Sequence, residues 1–417
     1  MTAPRLGPFS AVEILSTGDE LLTGQVVDTN SAWLMDRLWE LGILVRRKTL
    51  VGDDRKDLLA ALAETTARAD LVVMSGGLGP TEDDLTAECV AAAMGVPLEE
   101  DAASLDAIRR RFEKLGRLMT PNNAKQARFP RGAIILPNRF GSAPGFVANL
   151  GRSELVCLPG VPLEYKGLCD EAVLPRIAAR LFDRPAVRTV KLFGVPESHA
   201  DHAMRPVMDA AENADVRFGY RAHWPEIHVK WSVIGERAEP RAEQILADVR
   251  RIFGDIIFAE GSGELAQLVV ERLVARGHRL AIAESCTGGL VAEMVTSVSG
   301  ASRTFCAGIV AYSNEAKSAL LGVPAELIRA HGAVSEPVAR AMAEGARARG
   351  DATFGIGVTG IAGPTGGTSE KPVGTLHLAL ASPEGTRAFA RNIPADRDRI
   401  RKWAAYDALN QLRLLTR

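Results

Sequence analysis

An α/β fold, in which two α/β domains with mostly parallel sheets are joined by a small α+β domain, is predicted by three features of the sequence. At both ends of the chain short apolar runs alternate with helical apolar periods, the pattern of βαβ units. Between them lies a stretch of strand-like runs accompanied by only two helical patterns. The 417 residues, 47% of them hydrophobic, also exceed what one ordinary core organises. The expected domains span residues 1–178, 179–260 and 261–417.

In the first domain "AVEILSTGDE" reads as a strand meeting a glycine turn, and "TNSAWLMDRLWELG" as an amphipathic helix closed by Gly42. "ILVRRKTLVG" and "KDLLAALAETTARA" repeat the strand and helix. "DLVVMSGGLGP" is a buried strand running into glycines, followed by the helices "DDLTAECVAAAMG" and "ASLDAIRRRFEKLG" and a loop-rich stretch. In the second domain "RTVKLFG", "DVRFGYRAHWP" and "EIHVKWSVIG" read as strands, with helices at "ESHADHAMRPVMDAAE" and "PRAEQILADVRRIFG". Phe218, Tyr220, Arg221, His223, Trp224, Lys230 and Trp231 interleave there. Without a G-x-x-G clamping loop they read as sheet residues, half of them core, rather than as a nucleic-acid surface. The third domain opens with the helix "GSGELAQLVVERLVARG" and continues as alternating strands and helices.

Charge and cysteine content narrow the function. Fifty Lys and Arg against 51 Asp and Glu leave a formal net charge of -1, and hence no global field for nucleic acid or an anionic membrane. No run of about 18 apolar residues and no apolar core behind a basic flank occurs, so neither a membrane span nor a signal peptide is expected, and the cytoplasm is the expected compartment. Five cysteines without a C-x-x-C pair argue against a disulfide framework and a thiolate zinc site.

The glycines Gly76, Gly77 and Gly79 of "VVMSGGLGPTEDDLT" stand between a buried strand and a helix start, where backbone N–H groups receive phosphate. Glu82, Asp83 and Asp84 beside them would repel a phosphate unless a divalent cation bridged the two, so a Mg²⁺-type site is one reading. Asp19, Glu20, Asp28 and Asn30 offer further oxygen ligands. The other reading is local: Thr81 and Asp84 resemble a capping pair, with acids favoured in a first helical turn.

In the third domain "LAIAESCTGGLVAEMV" sets Ser285 and Cys286 at a tight strand-to-helix turn. A nucleophile there is exposed at the sheet edge, with free amides from Cys286, Thr287, Gly288 and Gly289 available to hold an oxyanion. Taken alone, the turn fits a helix-capping serine better. His278, His331 and His377 offer no recognisable base. Lys317, in the first turn of a helix after "AGIVAYSN", sits poorly for the helix dipole, which lowers its pKa and suits it to act as base, with Tyr312 relaying or orienting the proton. As a surface side chain it would be inert. The loop from Gly360 to Gly374, with Thr359 and Gly360 at its base, is long and glycine-rich enough to be a ligand loop. Arg397, Arg399 and Arg401 open the last helix, where one could clamp a phosphate.

Two sets of motifs carry a family resemblance. "STGDELLTGQVVDTNSAWL", "SGGLGPTEDDLT", "TPNNAKQA", "GSAPGF" and "LPGVPLE" resemble the molybdopterin-binding-like domain of the competence-damage-inducible (CinA) family, and "ESCTGGL", "SGASRTFCAGIVAYSNEAK", "TGIAGPTGGTSEKPVGT" and "DRDRIR" resemble its C-terminal domain. The resemblance implies a KH-like middle domain and a homodimer. It implies a nucleotide-pyrophosphate site with Gly76, Gly77, Asp83 and Asp84 in its glycine-acid loop, Asn122 and Asn123 in its asparagine motif, and metal-dependent hydrolysis of ADP-ribose. It further implies a nicotinamide mononucleotide amidohydrolase needing no cofactor. There Ser285 is nucleophile, Lys317 base and Tyr312 its assistant, with Thr359 and an arginine, best Arg397, binding substrate. A non-catalytic nucleotide-binding or scaffold protein linked to competence, or a hydrolase using Cys286, are the alternatives.

Overall fold

A computed structural model describes residues 9, 11–181 and 185–417. The chain divides into two compact units, one running to Val187 and including Ser232–Ala242, the other holding Arg188–Trp231 and Glu243–Arg417.

The first unit is built on a six-stranded sheet of β1 (Val12–Thr17), β2 (Val45–Val51), β3 (Leu71–Ser75), β6 (Ile134–Leu136), β7 (Gly145–Leu150) and β8 (Ser153–Leu158), while β4 (Leu98–Glu100) and β5 (Arg128–Pro130) pair separately. The order is β2-β1-β3-β8-β7-β6, parallel through β8 and antiparallel at β7 and β6. Successive strand residues face opposite sides. Ile14, Leu71 and Val73 therefore pack with Leu34, Leu38 and Tyr165 on one face, while Leu15, Val72 and Met74 meet Leu58, Leu62 and Cys89 on the other. The helices Thr29–Glu40 and Arg55–Arg68 that supply these contacts start at Asp28 and Asp54, whose side chains accept N–H bonds from the first turn.

A four-stranded sheet follows, ordered β10-β11-β9-β12, from β9 (Ala186–Phe193), β10 (Arg217–His223), β11 (Glu226–Val233) and β12 (Ile257–Glu260), with β12 antiparallel to β9. Trp231 is fully buried, whereas Trp224 is exposed, so the interleaved aromatics do divide between core and surface.

The second unit also carries a five-stranded sheet in the order β14-β13-β15-β16-β17, from β13 (Leu280–Glu284), β14 (Phe305–Val310), β15 (Phe354–Gly360), β16 (Thr375–Ser382) and β17 (Gly385–Asn392). The first three strands are parallel and the last two antiparallel. Leu280 and Ile282 face a core shared with Val269, Val291 and the last helix, Arg397–Leu415. Ala281 and Ala283 face Val338 and Met342 of helix Glu336–Arg349. On that side a side chain at Gly355 or Gly357 would meet the carbonyl oxygens of Ala343 and Ala339 at 2.1 and 2.4 Å, so the glycines of "FGIGVTG" let the helix lie directly on the strand. The carboxyl ends of β13 and β15 thereby open together.

Candidate active site

At that end of the second unit, β13 finishes at Glu284 and the chain turns through Ser285–Gly289 into helix Leu290–Thr296. Gly288 and Gly289 both have positive φ, which lets the backbone double back. The Glu284 carboxylate, 1% exposed, accepts from the N–H groups of Gly289, Val291 and Ala292 at 3.0, 3.1 and 2.8 Å. Glu284 thus satisfies the helix start, and the Ser285 hydroxyl does not cap it.

Ser285 faces Lys317 instead. The Lys317 Nζ lies 3.0 Å from Ser285 Oγ and donates to the carbonyl oxygens of Ala311 and Tyr312, each at 3.0 Å. Helix Asn314–Leu321 presents the lysine from its first turn, which Ser313 caps by accepting from Ala316 N–H. Lys317 is 1% exposed and has no carboxylate partner among the described residues. Burial pulls its pKa down, against a weaker opposing pull from Cys286 and Glu315. With two N–H groups held by carbonyls, a neutral amine directs its lone pair at the serine hydroxyl.

Neighbouring groups sort by contact. The Cys286 thiol is 5% exposed and burial pushes its pKa up to about 12, which leaves it a poor nucleophile. The hydroxyl of Tyr312 is not at the lysine. Tyr312 is 61% exposed and accepts from Arg397 Nη2 at 3.3 Å, so its carbonyl, not its phenol, orients the amine. Arg397 also donates to Gly363 O of the glycine-rich loop at 2.6 Å, and Arg401 to Thr287 O at 2.9 Å, while Arg399 lies over the Trp224 ring.

In the first unit, a cleft of about 510 Å³ opens at the carboxyl ends of β1 and β3 and takes in Gly76, Gly77, Gly79, Asp83 and Asp84. Gly76 and Gly77 have positive φ, and a side chain on them would meet Thr17 O at 2.4 Å and Thr86 Oγ1 at 2.3 Å. Asp84 folds back over the loop: its Oδ1 accepts from Gly79 N–H at 2.7 Å, and its Oδ2 from the N–H and hydroxyl of Thr81 at 2.8 and 2.5 Å. Helix Thr86–Met94 begins two residues later, so the Thr81 and Asp84 pair closes the glycine loop rather than capping the helix.

Comparison with known proteins places these features. Residues 13–179 match the family described as a probable molybdopterin binding domain, and residues 262–416 the CinA C-terminal domain. A CinA-like protein of Anaeromyxobacter sp. (strain Fw109-5) is 69% identical over 406 residues, covering 97% of this chain and 99% of its own. The chain belongs to the CinA family. A CinA-like protein of Myxococcus xanthus (strain DK1622) is 46% identical over 412 residues, 96% of this chain and 97% of its own. Among solved structures, the competence/damage inducible protein CihA from Agrobacterium tumefaciens is 38% identical over 37% of this chain and 98% of its own, with a TM-score of 0.35.

Several residues singled out in the sequence of this CinA chain make local contacts of their own. Both Asp84 oxygens accept from loop donors and Asp83 is exposed, and the described residues contain no group of three or more His, Cys, Asp or Glu arranged to hold a metal ion. Two of the additional acids, Asp19 and Asp28, also make local contacts. Asp28 is ion-paired to Lys48 at 2.8 Å, while Asp19 and Asp53 each accept the other's backbone N–H. Burial pushes the Asp28 carboxyl up, but its bonds from Lys48, Ser31 and Ser16 outweigh that and hold it at about 2.

Asn122 and Asn123 clamp rather than line: Asn122 donates to Pro80 O at 3.3 Å, and Asn123 Oδ1 accepts from Thr120 N–H and hydroxyl at 3.2 and 2.8 Å. In the second unit, the N–H of Gly288 donates to Ser285 O at 3.1 Å and that of Gly289 to Glu284, which removes both from the set of oxyanion donors. The N–H groups of Cys286 and Thr287 remain, while the Thr287 hydroxyl is buried. Thr359 is buried and donates to Ala333 O at 2.9 Å, and a side chain on Gly360 would meet Leu376 Cδ2 at 2.4 Å. Both hold the strand end in place. Glu284, which fixes the nucleophile turn from one side, is not marked out by sequence, and Arg401, a candidate phosphate clamp in sequence, holds the turn from the other side through Thr287 O. The signal of Glu284 in sequence is an acid closing a buried strand.

Proposed function

We propose that the second unit hydrolyses the carboxamide of nicotinamide mononucleotide, giving nicotinic acid mononucleotide and ammonia. The observation that carries this reading is the Lys317 Nζ to Ser285 Oγ distance of 3.0 Å, with the other amine donors held on two carbonyl oxygens. Family membership supports the substrate class. Lys317 takes the proton of Ser285 as Oγ bonds to the carboxamide carbon, and the N–H groups of Cys286 and Thr287 receive the oxyanion. The proton then passes from Lys317 to the departing nitrogen, which leaves as ammonia. Water attacks the acyl carbon, losing a proton to Lys317, and the serine is released. Arg397 and Tyr312 at the rim suit the phosphate and ribose of the substrate.

For the first unit we propose binding of a nucleotide pyrophosphate, such as that of ADP-ribose, at the glycine cleft. Gly76 and Gly77 leave the backbone open to close approach there. No hydrolytic step is assigned to it.

The test is ammonia release from nicotinamide mononucleotide by the chelator-treated protein beside S285A, K317A and C286A. Turnover that survives chelation and C286A and is abolished by the other two is the expected result. Absence of turnover in the unaltered protein would overturn the reading, and loss in C286A alone would move the nucleophile to Cys286.

A further inference from the structure

The sheet of the second unit has a second concave end. Ser285 follows the carboxyl end of β13 and Thr359 lies at that of β15, whereas His278 and Phe354 stand at the amino ends of the same strands, roughly 15 Å away along the five residues of β13. There a cleft of about 470 Å³ lies between the β16–β17 turn and the end of the last helix. Three arginines line it, Arg276, Arg387 and Arg417, against one acid, Glu384.

The local charge is unbalanced beyond the lining. Among the described residues the buried Arg413 bonds to neutral oxygens alone: Asn410 Oδ1 at 2.9 Å, Ile257 O at 3.1 Å and Asp255 O at 2.7 Å. Arg272 donates to Arg413 O at 3.2 Å and Arg276 to Thr416 O, favourable contacts for cations at a helix C-terminus. Among the described residues each uses one of its five N–H donors in these bonds. Arg417 pairs with Asp255, and the Arg387 guanidinium has no hydrogen-bond or ion-pair partner among the described residues. Five guanidinium groups are thus gathered there against the carboxylates of Asp255, Glu384 and Glu344, the last accepting from the hydroxyl of the lining Thr386 at 2.7 Å. The remaining positive excess is an attraction for an entering anion. The crowding is visible on Arg413, whose pKa burial, then Arg417 and Arg272, lower to about 10. The His278 ring, edge-on to Phe354 with centroids 5.2 Å apart, adds an aromatic wall.

We infer that this arginine-lined cleft at the amino ends of β13 and β15 is an anion site that takes the phosphate or pyrophosphate group of a small molecule. Forked guanidinium donors in a concave site match phosphate oxygens in geometry as well as charge. The inference does not depend on the amidase reading.

The experiment is calorimetric titration of the full chain with inorganic pyrophosphate, orthophosphate and AMP, each at low and high salt with chelator present, repeated on R387Q and on R276Q/R387Q. Because the Arg387 side chain is exposed and bonds to nothing described, R387Q should melt as the unaltered protein does and serves if the double variant folds poorly. Expected are salt-sensitive pyrophosphate binding and a loss of affinity of about tenfold or more in the variants. AMP binding tighter than orthophosphate, and lost in the variants, would identify a nucleotide as the source through the aromatic wall. Equal affinities, both lost, would identify free phosphate. No binding, or binding unchanged in both variants, would overturn the site and leave any uptake to the other clefts.

Discussion

The Glu284 carboxylate accepts the N–H of Gly289 at 3.0 Å, across the turn that carries Ser285. Two further helix amides, from Val291 and Ala292, converge on the same buried group. A negative charge at a helix start is favoured by the backbone dipole, and here it takes over the capping that a serine at this turn would otherwise perform. Truncation in E284A leaves three buried donors without an acceptor. It should cost about 1–3 kcal/mol of stability and lower turnover, because the serine is then free to cap. E284Q keeps one acceptor oxygen and should lose less of both. Denaturant unfolding alongside the ammonia assay measures the pair of effects, and an E284A protein as stable and active as its parent would refute them.

K317M separates stability from activity. Lys317 is buried without a carboxylate partner, held by two carbonyls and a hydroxyl. An apolar side chain of similar length removes the cost of burying an amine, at the expense of leaving the carbonyls of Ala311 and Tyr312 unbonded. Thermal melting should therefore move by only a few degrees in either direction, while ammonia release disappears. A large drop in melting temperature would mean that the lysine is there to hold the fold.

The pH dependence follows from the same group. The reactive form is the neutral amine, and burial has lowered its pKa from the ordinary 10.5. Activity should fall as pH drops through the lowered value, giving an acid limb that begins below the range of a free lysine. For stability, the unfolded chain binds the extra proton between the lowered and the ordinary value. The contribution of this group to stability therefore rises with pH across that window and is smallest below it. In K317M that slope should vanish from a series of unfolding curves, and its persistence would assign it to another group.

How much of this is legible in the sequence depends on whether a role is local. Ser285 and Lys317 can be read because a glycine-rich turn after an apolar strand and a lysine in a first helical turn are positional signals. The role of Glu284 cannot, since the amides it binds come into reach only when Gly288 and Gly289 adopt positive φ. In sequence Tyr312 reads as a phenol, but what reaches the lysine is its carbonyl, which sequence does not distinguish from any other. The strands are legible as short apolar runs, while the division of Ile14 and Leu15 between the two faces comes from the pleat of a strand buried on both sides. The reason for "FGIGVTG" lies in the approach of helix Glu336–Arg349, a contact between segments that no local pattern encodes.

Asp84 gives the last prediction. Its two oxygens close the glycine loop through Gly79 and Thr81, and Asn122 and Lys125 hold that loop from outside by donating to Pro80 O and Thr81 O at 3.3 and 2.8 Å. If the carboxylate organises the loop, D84A loosens the cleft whether or not a divalent ion is present. The melting temperature of D84A should therefore fall by the same amount in chelator and in magnesium, and nucleotide affinity of the first unit should drop with it. D84N replaces one of the two acceptor oxygens by an NH2 that can only donate, so either the Gly79 or the Thr81 N–H loses its partner and D84N should fall between D84A and the parent. If Asp84 instead holds a metal, magnesium should stabilise the parent and leave D84A unmoved, so that the gap between the two proteins widens only when the ion is added.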